Sequence, residues 1–138
     1  MILSQGTEAL EHAARTISNG GVIAFRTDTF YGLGADPLNS LAVGRISHLK
    51  GRAENKPILL LVSDYDKVAH FITEPSELFH SIASRHWPGP LTLVGSARPE
   101  LPRGVNGGKR NYRIAAPQRR RRAFSRTCLW RGANGNQR

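Results

Sequence analysis

Two short stretches of this chain concentrate the residue types that hold charged ligands. The first is Phe25-Arg26-Thr27-Asp28-Thr29-Phe30-Tyr31-Gly32-Leu33-Gly34. Its hydroxyls, on Thr27, Thr29 and Tyr31, and its one carboxylate, Asp28, follow directly on the apolar run Val22–Phe25. Polar groups at the end of a buried strand are unfavourable unless something hydrogen-bonds them. Loops held by a rigid scaffold are also where binding residues gather. The second stretch is Lys50-Gly51-Arg52-Ala53-Glu54-Asn55-Lys56-Pro57, which borders the apolar run Ile58–Val62. It sets the cations Lys50, Arg52 and Lys56 against a single acid, Glu54. Arginine offers a two-pronged fork to phosphate and lysine a compact point charge. One hydroxyl-rich loop and one cationic loop together suit a phosphorylated ligand.

Each loop also has a plainer reading. Threonine and aspartate can satisfy their own backbone in a turn. Cations at a helix C-terminus complement the helix dipole and stay solvated. Gly32 and Gly34 permit a tight turn or a close backbone approach. Neither loop is a Walker loop or a dinucleotide fingerprint, because the Gly-Lys-Ser/Thr and Gly-x-Gly-x-x-Gly patterns are missing. A third stretch, Trp87-Pro88-Gly89-Pro90-Leu91-Thr92, is stiff and aromatic. Trp87 suits a packed corner, since a large aromatic contributes mainly burial. Thr92 just beyond it has a hydroxyl to offer a ligand.

The elements that must position these loops alternate. Leu10, Ala13, Ala14 and Ile17 recur at helical spacing, which predicts a helix over Thr7 to Ser18, stopped by Asn19-Gly20-Gly21. Val22–Phe25 predicts a short strand buried on both faces. Asn39 or Ser40 can cap a helix over Leu41 to Leu49, with Val43, Ile46 and Leu49 inward and Gly51 at its end. Pro57–Val62 predicts a second buried strand, and Asp64 caps a short helix through Phe71. Pro75 opens a helix to Arg85, with Leu78, Ile82 and Phe79 toward the core. Leu91–Val94 predicts a strand. Alternating strands and helices argue for an α/β layered domain. No internal repeat is visible.

Composition narrows the class. A chain of 138 residues is one domain long and can bury a real core. No stretch approaches the roughly 20 apolar residues of a membrane span. The N-terminus lacks the basic and apolar regions of a signal peptide. A single cysteine, Cys128, rules out an internal disulfide and suits a reducing compartment. His12, His48, His70, His80 and His86 have no partner at zinc-ligand spacing, so no metal site is expected. The net charge of +10 is unevenly distributed: residues 1–108 carry ten basic and ten acidic residues, and residues 109–138 carry ten basic residues and no acid. After Pro102 the periodic pattern fails. The reading is a domain over 1–107 and a basic, disordered tail over 108–138. The break is read as a truncation or a reading-frame shift near Gly107–Lys109. A basic arm for RNA is the competing view, since arginine clusters neutralise phosphates.

Taken together, the three polar stretches resemble the YrdC family, the threonylcarbamoyl-AMP synthases of tRNA modification. The family pattern runs Pro-Thr-Asp-Thr-x-Tyr-Gly-Leu, Lys-Gly-Arg-x-x-x-Lys-Pro-Leu and Trp-Pro-Gly-Pro-Leu-Thr. Here it reads Thr27-Asp28-Thr29-Phe30-Tyr31-Gly32-Leu33, then Lys50-Gly51-Arg52 with Lys56-Pro57, then Trp87 to Thr92, in the same order. Arg26 stands where the family has proline. The family's later Arg-x-Pro strand and Ser-Ala-Asn-x-Ser-Gly loop are not recognised. The resemblance implies a twisted, open, mixed sheet with flanking helices, of α/β (α+β) class, incomplete on its C-terminal side and therefore of marginal stability. It implies synthesis of threonylcarbamoyl-AMP and pyrophosphate from L-threonine, bicarbonate or CO2, and ATP with its Mg2+. The product goes on to adenosine 37 of tRNA through partner proteins in the cytoplasm. By motif position, Thr29 and Tyr31 would meet threonine, and Lys50, Arg52, Lys56 and Thr92 would meet ATP. No side chain serves as a nucleophile. The alternative is a double-stranded RNA or tRNA-binding module of the same fold without catalysis.

Overall fold

The computed structural model describes residues 6–26, 31–51, 57–116 and 128–132. Helix α1 spans Thr7–Ser18, as the spacing predicts, and buries Ile17. Strands β1 (Ile23–Arg26) and β2 (Tyr31–Gly34) pair as an antiparallel hairpin, with Arg26 opposite Tyr31. Helix α2 spans Ser40–Leu49, and the Asn39 side chain accepts from the amides of Leu41 and Ala42. Lys50 follows as its C-cap, and Gly51 leaves the helix at φ 56, a left-handed turn that glycine makes without strain. Strand β3 is Leu59–Leu61. A 3-10 helix over Tyr65–His70 is capped by Asp64. Helix α3 spans Glu77–His86 behind the Ser76 cap. Strand β4 (Thr92–Ser96), the one-turn helix α4 (Arg103–Asn106), β5 (Asn111–Ala115) and β6 (Cys128–Gly132) follow.

The strands form one mixed sheet in the order β1-β2-β6-β3-β5-β4. Among the described residues, only β3 and β5 pair in parallel, with Leu60 beside Ile114 and Leu61 beside Ala115. The core lies on one face of this sheet. Leu60, Ile114 and Tyr112 from the strands meet Val43 and Ile46 of α2, Phe79 and Ala83 of α3, and Val105 of α4. Gly95 sits opposite Tyr112 on β4, and a Cβ there would come within 2.7 Å of the Ile72 side chain. Glycine at this position lets the segment before α3 close over the sheet.

Several expectations are corrected. Residues 111–115 are not a disordered tail: β5 pairs on both sides, and Tyr112 and Ile114 are fully buried. The domain therefore runs past residue 107, and the break in charge does not coincide with a break in fold. The alternation of Asn111, Tyr112, Arg113 and Ile114 is the period-2 signal of a half-buried strand, masked by the glycines and cations around it. Strand β6 likewise takes an interior place between β2 and β3. Residues 117–127 and 133–138 lie outside the described residues. Strand β1 is an edge strand, paired on one side by β2, with Ala24 exposed, and is not buried on both faces. Leu49 and Leu78, expected inward, are 63% and 69% exposed, because they fall on the outer faces of α2 and α3.

Ile114→Ala should destabilise the domain by about 2–5 kcal/mol, read by urea denaturation. A change near zero would mean that β5 is not part of the cooperative core. Burial also pushes the Tyr112 hydroxyl up to about 12. Its folded value then exceeds the ordinary tyrosine value near 10. The neutral form is the one that folding favours, so stability should hold below pH 10 and fall as pH rises toward 12. Denaturation midpoints at pH 9 and 11 would check this. Tyr112→Phe should lose that alkaline sensitivity, and an unchanged slope would contradict the assignment.

Candidate functional site

The registers bring the described flanks of the two polar segments to one end of the sheet. The β1–β2 hairpin closes between Arg26 and Tyr31. From β2, antiparallel pairing carries Gly32 to Gly132 of β6, and β6 then carries Trp130 to Leu59 at the start of β3. The hairpin tip and the entry to β3 therefore share an end. Thr29, Arg52 and Lys56 lie outside the described residues. Tyr31 is 70% exposed at the base of the hairpin tip. Lys50 is half-buried, its amide donating to the Ile46 carbonyl at 3.2 Å.

The face of the sheet opposite the core is open at β4 and β5. Thr92, Val94 and Ser96 alternate outward along β4, and Asn111 and Arg113 along β5. Cross-strand register sets Ser96 beside Asn111 and Val94 beside Arg113. Leu59 and Leu61 of β3 continue this face, half-buried. The result is a shallow floor with two hydroxyls, one amide and one guanidinium. Arg113 brings a planar fork of five donors, the geometry that matches a phosphate or carboxylate. Parallel pairing of β3 and β5 puts Asn111 at the same end as the two loops. Such a floor can hold an anion through charge-assisted bonds to Arg113.

Thr92 lies at the other end of this floor. It pairs with Ala115, four residues along β4 from Ser96, a span of roughly 13 Å. Three strands also separate β4 from β2, about 19 Å at the usual strand spacing. Thr92 and Tyr31 thus stand at opposite corners and do not contact the same chemical group. Tyr31 also shares the strand face of Leu33, which packs against the core, so it lies on the opposite side of the sheet from Thr92. Ser96, Asn111 and Arg113 were not singled out from the sequence. Their signal was the alternation that marks β5, which the basic composition obscured.

Trp87 belongs to the scaffold. It is half-buried, its Nε1 donates to the Leu91 carbonyl at 2.8 Å, and its ring meets Phe79 edge-on at 5.9 Å. The Trp87–Pro88 peptide is cis. This corner aims β4 into the sheet. Among the described residues, no group of three His, Cys, Asp or Glu could hold a metal ion, and no helix is long and apolar enough to cross a membrane.

Comparison with known proteins bears on this arrangement. The Sua5/YciO/YrdC family model, described as telomere recombination, matches residues 15–121. The threonylcarbamoyl-AMP synthase of Halorhodospira halophila is 39% identical over 101 residues, which are 72% of this chain and 52% of that protein. The protein of the same name from Pyrococcus abyssi is 37% identical over 105 residues, 76% of this chain and 31% of that one. The solved structure of P. abyssi Sua5 complexed with L-threonine superposes with a TM-score of 0.87 at 31% identity, covering 96% of this chain and 40% of that one. E. coli YciO, at 20% identity and a TM-score of 0.79, shares the fold. This chain spans about half the length, or less, of these curated relatives. The chain belongs to the Sua5/YciO/YrdC family, and its match extends through β5.

If Trp87 is scaffold, Trp87→Phe should lower stability by about 1–2 kcal/mol, since it strips the partner from a half-buried carbonyl, and should leave nucleotide affinity unchanged. Calorimetric ATP titration beside a thermal melt reads both. Lost affinity with unchanged stability would put Trp87 in the site instead.

Proposed function

We propose that this chain carries the threonylcarbamoyl-AMP synthase reaction of its family. The observation that supports the reading is that the strand ends flanking both polar segments, Arg26 with Tyr31 and Leu59, share one end of the sheet with Asn111. The threonine amine adds CO2 to become a carbamate. A carbamate oxygen then attacks the α-phosphorus of ATP, the bond to the bridging oxygen breaks, and pyrophosphate leaves with the electron pair. Two negatively charged reactants must be brought together, so positioning and electrostatic stabilisation supply most of the rate.

In this reading Arg52 and Lys56, with Lys50 beside them, hold the ATP phosphates. Thr29 meets the threonine substrate, and Tyr31 lines the same pocket. L-Threonine is the molecule named with P. abyssi Sua5, which supports the assignment. Arg113 joins the cationic set from the sheet floor. Thr92, at the far end of that floor, is left the part of the nucleotide remote from the loops. Mg2+ arrives with ATP, because it keeps its waters and binds mainly through phosphate oxygens. No covalent intermediate with the protein is needed. The product passes to adenosine 37 of tRNA in the cytoplasm through partner proteins, which complete the modification.

The test is pyrophosphate release from ATP by the purified chain, with threonine and bicarbonate omitted in turn. Release that requires both is expected. Arg52→Ala should reduce ATP affinity at least about tenfold, as loss of a charge-assisted phosphate contact does, with an unchanged melt. No release, combined with salt-sensitive binding of duplex RNA, would replace this reading with that of an RNA-binding module.

A further inference from the structure

The strand ends that meet at this end of the sheet belong to two separate groups. Tyr31 sits in the β1–β2 hairpin, and Leu59 and Asn111 in the group β3, β5 and β4. Among the described residues, β6 is the one strand that pairs with both groups. It changes partner along its length. Cys128, Leu129 and Trp130 are in register with Leu61, Leu60 and Leu59 of β3, and Arg131 and Gly132 with Leu33 and Gly32 of β2. The joint to β3 thus has three register pairs and the joint to β2 has two. The Val62 amide donates to the Ala115 carbonyl of β5 at 3.0 Å. Amides alternate along a strand, so those of Leu59 and Leu61 point the other way, toward β6. The same alternation, carried through the registers of β6, turns the Arg131 amide toward Leu33 and the Leu33 amide toward Arg131.

The two groups are held to the core very differently. Leu60, Tyr112 and Ile114 place the second group inside the buried apolar cluster. Among the described residues, β1 and β2 put nothing into that cluster, and Leu33 only packs against it, half-buried. Two of the four residues of β2, Gly32 and Gly34, have no side chain to pack, and glycine inside a strand weakens it. A two-stranded hairpin is marginal in water and needs a third strand. Strand β6 supplies it, through backbone pairing at the Leu33–Arg131 position. We propose that β6 is a strap, and that the β1–β2 hairpin opens from the sheet at the Leu33–Arg131 pair while β3, β4 and β5 stay folded. Closing the strap holds Tyr31 at the end of the sheet that Leu59 and Asn111 occupy, and opening it lets Tyr31 leave. The motion belongs to the scaffold and is independent of the reaction carried out there.

Amide hydrogen exchange on the full chain, followed residue by residue by NMR with no ligand added, tests the strap. The Leu33 amide should exchange at least about tenfold faster than those of Leu60 and Ile114, a difference on the scale of one hydrogen bond. Arg131→Pro removes the amide aimed at β2. It should speed Leu33 exchange at least about tenfold further, while the Leu59 and Leu61 amides, which face the other half of β6, keep their rates. Arg131→Ala retains the amide and should leave all of these rates unchanged. A single common rate for Leu33, Leu60 and Ile114 in the unaltered chain would overturn the proposal, because the sheet would then open as one unit. So would an Arg131→Pro chain that loses protection in every strand together, one in which Leu33 stays protected, or an Arg131→Ala chain in which Leu33 is freed.

Discussion

The parallel pairing of β3 with β5 is the contact on which the rest of this domain rests. Strand β3 is three residues long and flanked on both sides by other strands. Its backbone groups are removed from water, and buried amides and carbonyls must find partners. Strand β5 supplies them on one side and β6 on the other. Leu60 and Ile114 meet at this junction with no exposed surface. Parallel strands need a long crossover between them. Here that crossover contains α3, β4 and α4, so eight of the seventeen clustered core residues lie between the two partners.

The same pairing organises the open face. Core-facing Tyr112 and Ile114 force Asn111 and Arg113 outward, because side chains alternate across a strand. Strand β4 then pairs with β5 antiparallel and adds its own outward hydroxyls beside them. The start of β3, where the cationic segment enters, is held at the end of the sheet where the β1–β2 hairpin turns. Polar residues that are distant in sequence are thereby collected without any of them taking part in the core. The loops can change chemistry while the scaffold keeps its register.

Much of this was legible from residue types alone. Helix α1 matched its predicted span because both its apolar stripe and its glycine stop are local signals. The Asn39 and Asp64 caps were legible for the same reason. The three polar motifs pointed to a family to which the chain indeed belongs. What escaped was whatever depended on distant partners. An apolar run such as Val22–Phe25 looks the same whether it lies at a sheet edge or in the middle. Leu49 and Leu78 fit an inward stripe by spacing, yet neighbours cover only the other face of each helix. Strand β5 has only a short alternation, Asn111 to Ile114, set among glycines and cations that locally resemble a loop. Thr92 sits in a family motif, but sequence order does not reveal how far across the sheet that motif lies from Tyr31.

The most direct measurement is an amide NMR titration of the full chain with ATP and then with threonine. ATP should shift the amides of Lys50 and Gly51 at the cationic loop and of Ser96 and Arg113 on the sheet floor. Threonine should then shift Tyr31 at the hairpin tip. Shifts confined to one of these segments, or spread over the outer face of α2 instead, would contradict a single site at this end of the sheet.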